Sequence, residues 1–254
     1  MFLRALTTLG QMHAPWSAVR GAVLLSAAAA ALLGAAGAAQ AAGTPHPAAP
    51  PPARAAERPR LAQFGDEPAS APARQTANWA LHSGDHRGHA VVVVDKKEAK
   101  VFVFSPNGEL LGAAPALLGS AIGDHTVPGV GNKPLSQVLP AERTTPAGRF
   151  VAESGVNTHG EDVVWVDYDA AVSMHRVRAN VKAERRLERL ASKTPSDNRI
   201  SYGCINLPVR FYEDVLSPAV QRTGAVIYVL PETQPAAALF GALDVPVASA
   251  ADRR

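Results

Sequence analysis

Two short runs of Val and Phe, divided by a charged turn, most constrain what this chain can fold into. Residues 89–94 read His-Ala-Val-Val-Val-Val and residues 100–105 read Lys-Val-Phe-Val-Phe-Ser, with Asp95-Lys96-Lys97-Glu98 between them. Runs this short and this rich in β-branched and aromatic residues suit buried strands rather than helices. Pro106-Asn107-Gly108-Glu109 follows as a hairpin signal, because Asn-Gly supplies the positive φ angles such turns need. Further strand candidates lie at 110–118, 149–152, 162–167, 170–176 and 224–230, the last stopped by Pro231. Residues 119–140 form a loop rich in Gly and Pro. Helical spacing is clearest over 180–191, where Val181, Ala183, Leu187 and Leu190 mark one apolar stripe, and a second short helix is expected over 210–216. The sum is a mostly β domain with one or two short helices.

The flanks differ in composition. Residues 1–41 read as a secretory signal: Arg4 and Arg20 form the basic n-region, 21–39 the Ala-rich apolar stretch, and Ala39-Gln40-Ala41 a small-x-small cleavage site. Met12 is an alternative start, and a retained membrane anchor is the alternative fate. No cysteine follows the apolar stretch, so lipoprotein processing is not expected. Residues 42–76 are rich in Ala, Pro and Arg and read as a disordered linker. The folded domain is expected over 77–231. The tail 232–254 contains Leu239, Phe240 and Leu243, enough for a short docked helix.

Charge narrows the function classes. The chain has 25 basic and 22 acidic residues; without Arg4 and Arg20 the mature chain holds 23 against 22. So near-neutral a balance gives nucleic-acid binding no support. The expected location is exported, in the periplasm or cell envelope, with no stable membrane insertion once the signal is cleaved.

One cysteine, Cys204, stands in Ser201-Tyr202-Gly203-Cys204-Ile205-Asn206. A single thiol cannot form an internal disulfide, so in an exported protein it is filler or a nucleophile. Gly203 lets the backbone turn sharply beside the thiol and gives a reacting carbonyl close approach. A cysteine nucleophile needs a base or a positive environment. Of eight histidines, His13 falls in the leader, His46 in the linker, and His125 and His159 in loops. His175 closes the apolar strand Ala171-Val172-Ser173-Met174, where a rigid element fixes it, and is the expected base. His82, His86 and His89 have a metal-like spacing, but Gly84 and Gly88 argue against a shared helical face, and no metal site is expected.

These residues, in this order, resemble the L,D-transpeptidase catalytic domain. The strand-turn-strand at 90–104, the Asn-Gly hairpin, Thr145-Pro146-x-Gly148-x-Phe150, the strand ending in His175, and Ser-x-Gly-Cys-x-Asn carry the resemblance over about 140 residues. It implies a β-sandwich or barrel with one or two short helices, acting on peptidoglycan stem peptides as donor and acceptor, without a cofactor. Cys204 would attack the carbonyl joining the third stem residue to D-alanine. His175 would manage the protons, and N–H groups around Gly203 and Cys204 would hold the oxyanion. Water or another amine as acceptor would give carboxypeptidase or exchange activity. Asn206 would orient the loop or a substrate carboxylate, or stabilise the turn. Arg199 would face the cleft or the solvent, and Ser201 would cap the turn.

Two departures stand out. Tyr202 occupies the place where the family usually carries His, and Arg176 follows the strand histidine where Gly is frequent. The stretch 177–200 between His175 and Cys204 is long, and reads as a surface insertion or a cap over the cleft. Two alternatives remain open: a sortase-like transpeptidase using Arg210, and a catalytically silent domain that binds peptidoglycan or an envelope partner.

Overall fold

The computed structural model describes residues 60–241 and 245. The expected signal sequence, most of the expected linker and the last residues of the tail lie outside the described residues. Four consecutive valines at 91–94 are all fully buried, and the topology shows why. Strands β1 (Ala90–Asp95), β2 (Lys100–Phe104), β3 (Leu110–Pro115), β5 (Gly148–Val151) and β11 (Ala225–Val229) form a sheet in the order β3-β2-β1-β11-β5. β1 and β11 pair in parallel at its centre, and the other pairs are antiparallel. Both faces of this sheet are covered, so β1 shows an unbroken apolar run instead of alternation.

One face carries Val92, Val94, Val101 and Val103. These pack with Val164, Val166, Val172 and Met174 of a second sheet and with Phe211, Tyr212 and Leu216 of a helical run over 209–223. That second sheet has the order β10-β8-β7-β6, from β6 (Glu153–Val156), β7 (Asp162–Asp167), β8 (Val172–Arg176) and β10 (Ile205–Leu207). A short parallel pair, β4 (Leu118–Gly119) with β9 (Arg199–Ser201), completes the strands. The architecture is two packed sheets with short helices and no closed barrel among the described residues. No described helix is long and apolar enough to cross a membrane.

The other face of the five-stranded sheet packs on α1 (Ala71–Ser83), a helix whose first part, up to Thr76, falls in the segment expected to be linker. Its buried positions Ala73, Thr76, Ala77, Ala80 and Leu81 follow helical spacing, but alanines carry the stripe. Composition therefore looked too poor in large apolar residues for a core element. Ser70 caps the helix, accepting from the Ala73 N–H at 3.2 Å, and Gly84 ends it in the left-handed region. Phe64 is buried as well, edge-on to Phe102 and Phe104, so the folded body begins ahead of residue 77. In the tail, Ala236–Phe240 is a short helix whose Phe240 meets Trp79 and Tyr228.

Other expectations shift in detail. At the Asn107-Gly108 hairpin only Gly108 takes a positive φ, 89°, because the loop holds one residue more than a two-residue turn. The expected helix over 180–191 is broken: Lys182–Glu184 is a 3₁₀ turn, Arg185 is left-handed, and α2 spans only Arg186–Ala191. Val181 and Leu187 are exposed, and only Leu190 of the stripe is buried, against Leu117 and Val177. The second helix is longer than expected, running over 209–223 with a π-helical turn at Tyr212–Leu216.

Candidate active site

Cys204 sits in the turn joining β9 to β10. Gly203 before it has φ of 133°, and a Cβ there would come within 2.9 Å of the Thr144 carbonyl oxygen. Only glycine fits the turn without moving the neighbouring backbone. Ser201, buried, ties the turn internally. Its hydroxyl donates to the Cys204 carbonyl at 2.6 Å and accepts from the Gly203 N–H at 3.1 Å. The Gly203 N–H, which the family resemblance aims at an oxyanion, is thus directed to Ser201 by the tightness of the turn.

A second layer holds this turn from beneath. Thr145 is fully buried; its hydroxyl donates to the Gly203 carbonyl at 2.7 Å and accepts from the Gly119 N–H at 2.9 Å. Below Thr145 lies Lys96, which the charged turn in the sequence would place in solvent. It is instead 1% exposed and donates to the carbonyls of Thr145 at 3.0 Å and Gly123 at 2.6 Å. It pairs with Asp124 at 3.0 Å, and Glu232 lies 3.5 Å away. Burial alone would raise the Asp124 carboxyl. Hydrogen bonds from Thr233, the Glu232 N–H and Lys96 outweigh it and hold the group well below the usual carboxylate range. Arg199 belongs to this network: it forms a two-pronged pair with Glu232 and donates to the Lys96 carbonyl at 2.8 Å. It buttresses the site and is not a free cation in the cleft.

The thiol lies against β8. Cys204 Sγ is 3.5 Å from the Ala171 carbonyl oxygen and 3.8 Å from Ser173 Oγ. β8 and β10 run parallel with Asn206 opposite His175. Strand alternation puts Ser173 and His175 on one face, the face shared with Cys204 and Asn206. No hydrogen bond joins His175 to Cys204 among the described residues; the side chain in hydrogen-bond contact with the thiol is Ser173. Catalytic hydrogen bonds are often long in a free enzyme and tighten with substrate. His175 Nδ1 is 2.8 Å from the Arg176 carbonyl, so Nδ1–H donates there and Nε2 keeps its lone pair. Burial pushes the imidazole below its ordinary value of 6.5. The Arg176 carbonyl and Glu161 oppose that shift, and the charges of Arg178 and Arg186 add to it. His175 is therefore neutral at pH 7.

Asn206 is 1% exposed. Its amide donates to the Cys204 carbonyl at 3.3 Å, and its Oδ1 accepts from Arg186 at 2.6 Å. The 177–200 stretch thus reaches the site through Arg186, from the first turn of α2. Tyr202 is half-exposed, with the Arg143 guanidinium 4.2 Å over its ring.

The other histidines stand apart from this chemistry. His159 is exposed in the β6–β7 turn, its ring 3.3 Å from the Thr158 hydroxyl and its backbone N–H donating to Asn157 Oδ1. His86 and His89 bond separate carbonyls, of Ala80 and Thr223, and His82 ends α1. No group of three metal-ligating side chains occurs among the described residues. Arg210 is exposed on the 209–223 run. Sequence reasoning assigned no role to Thr145, Ser173, Arg186, Lys96 or Arg143. Strand alternation from His175 could have pointed to Ser173; the others meet the site across long sequence separations.

No protein-family profile and no curated protein sequence matches the chain. Among solved structures, it is similar to L,D-transpeptidase LdtMt1 in complex with imipenem. The identity is 21% over 56% of this chain and 58% of that one, with a TM-score of 0.33. It is also similar to the catalytic domain of the E. faecium L,D-transpeptidase, at 14% identity over 56% of this chain and 98% of that one, TM-score 0.34. A third is the helical cell shape determining protein Pgp2 from Campylobacter jejuni, at 14% identity over 65% of this chain and 58% of that one, TM-score 0.36. The chain spans less than two thirds of the first and third. At these TM-scores the functional reading rests on the site's own residues.

Proposed function

We propose that this protein is a cysteine-dependent L,D-transpeptidase acting on peptidoglycan stem peptides in the periplasm or cell envelope. The observation that carries this reading is the Cys204 thiol lodged on β8 at Ser173. It shares the strand face of a half-buried, neutral His175 whose Nε2 is left to accept a proton. In the proposed reaction the thiol proton passes to His175 Nε2 as Sγ bonds to the carbonyl carbon before the terminal D-alanine. The Cys204 N–H is the donor proposed for the resulting oxyanion, since the Gly203 N–H serves Ser201. The carbon–nitrogen bond breaks, D-alanine leaves with the proton from His175, and a thioester remains. An acceptor amine then attacks the thioester, His175 takes its proton, and the thiol returns as the new amide forms. A side-chain amine of a second stem gives a 3→3 cross-link; water gives hydrolysis.

Intact-mass measurement of the full chain with tetrapeptide muropeptides, and separately with a carbapenem, tests the reading. A covalent adduct that Cys204→Ser lacks, with D-alanine release, is the expected result. His175→Ala abolishes turnover and His159→Ala does not. The rate rises with pH through a His175 value below 6.5. A folded protein giving neither adduct nor D-alanine sinks the enzyme and leaves a catalytically silent envelope-binding domain.

A further inference from the structure

The arginines around the site are almost all engaged with carboxylates. Arg176 pairs with Asp162 and Glu213, Arg178 with Glu161, Arg185 with Glu188, Arg186 with Glu184, and Arg199 with Glu232. Arg143 differs. It is half-buried, and among the described residues it meets no carboxylate. Its Nε and one terminal nitrogen share a single acceptor, the Val138 carbonyl, at 3.4 and 3.2 Å. The neighbouring acid, Glu142, is already taken by Lys133.

The guanidinium lies on the ring of Tyr202, the residue that breaks the usual motif. A cation stacked on an aromatic face gains a favourable electrostatic contact while its N–H donors point outward in its own plane. That leaves a fork suited to a carboxylate, fixed in direction before any ligand arrives. The backbone brings both members of this pair to the Cys204 turn. Tyr202 and Cys204 are two residues apart, at most about 7 Å along the chain. Thr144 and Thr145, next to Arg143, pack directly against Gly203. A histidine at 202 would offer a smaller ring to the guanidinium.

We propose that Arg143, held on Tyr202, binds the terminal carboxylate of the donor peptide. This rests on the transpeptidase reading for the identity of the peptide. The terminal carboxylate lies one residue, roughly 3.5 Å, beyond the scissile carbonyl, so the group that binds it belongs on the segments around the thiol. On this account Tyr202 is a positioning residue that acts through Arg143. The departure from the motif exchanges an imidazole for a platform that orients a cation.

The experiment is protection of Cys204 from iodoacetamide in the full chain. Two probes are used: a stem tetrapeptide with a free terminal carboxylate and the same peptide with a terminal amide. Each variant is normalised to its own alkylation rate without peptide. In the wild type the acid protects at a concentration about tenfold or more below the amide, as expected for a charge-assisted contact. Arg143→Gln removes the preference, Arg143→Lys keeps part of it, Tyr202→Phe retains it and Tyr202→Ala weakens it. Should Arg143→Gln fold poorly, the Tyr202 pair and Arg143→Lys carry the comparison. Equal protection by acid and amide in the wild type, a preference that survives Arg143→Gln, or no protection by either peptide overturns the proposal. Acid preference without D-alanine release would instead refute the reaction and leave the carboxylate site standing.

Discussion

Replacing Thr145 with Val tests whether the Cys204 turn is held from below as the hydrogen bonds imply. The two side chains are close in size, so packing changes little and the hydroxyl is the variable. Thr145 Oγ1 serves the Gly203 carbonyl and the Gly119 N–H, and all three residues are buried. Valine leaves both backbone groups without a partner, at about 1–3 kcal/mol each, so a loss of about 2–6 kcal/mol is expected. Thr145→Ser keeps the hydroxyl and removes one methyl, costing about 1 kcal/mol. Thr76→Val supplies the opposite case within the same protein. Its Oγ1 is buried in the α1 face without a hydrogen-bond partner among the described residues. Removing it therefore stabilises the fold by about 1 kcal/mol. Urea unfolding followed by the fluorescence of Trp79 and Trp165 reads all three, with unchanged m-values as the sign that only stability moved. Faster alkylation of Cys204 in Thr145→Val would accompany the loosened turn. If Thr145→Val costs under about 1 kcal/mol, the hydroxyl is not holding the turn.

Two further outcomes follow from the same layer. Gly203→Ala forces a Cβ against the Thr144 carbonyl in a conformation unsuited to alanine. It should cost about 2 kcal/mol or more and slow any acylation of Cys204; a variant as stable and reactive as wild type would show that the turn can relax. Asp124 has a folded value below its unfolded one, so its contribution to stability is complete above the ordinary carboxylate range and declines as pH falls below about 4. Asp124→Asn loses stability at neutral pH, by less than the about 3–5 kcal/mol of a buried charge left wholly unpaired because Glu232 stays 3.5 Å from Lys96, and shows a shallower acid slope. Parallel acid unfolding curves for the two proteins would count against it.

How much was legible follows from what each residue's signal depends on. The central strands could be read because Val91–Val94 and Lys100–Phe104 carry their preference locally and are buried whichever elements cover them. The Cys204 turn could be read because Gly203 next to a lone cysteine is a local pattern. Helix α1 could not, since its stripe is made of alanines whose burial depends on the sheet packed over them. The 180–191 stripe misled for the converse reason. Its spacing is helical, but Arg185, Arg186 and Arg189 are held by Glu188, Asn206 and the carbonyls of Glu184 and Asp197, and these polar contacts outweigh exposed Val181 and Leu187.

Sequence by itself determined the β class, the nucleophile candidate and the strand histidine, because strand propensity, turn chemistry and thiol count are properties of neighbouring residues. Tertiary structure alone decided the surroundings of the thiol. Lys96, Thr145, Arg186 and Arg143 reach the turn from distant segments, so their meeting depends on how the sheets close over one another. It likewise decided that Arg199 is paired with Glu232 while Arg143 is not. Whether a charge finds a partner is settled by where the chain brings the opposite charge, and no local pattern records that.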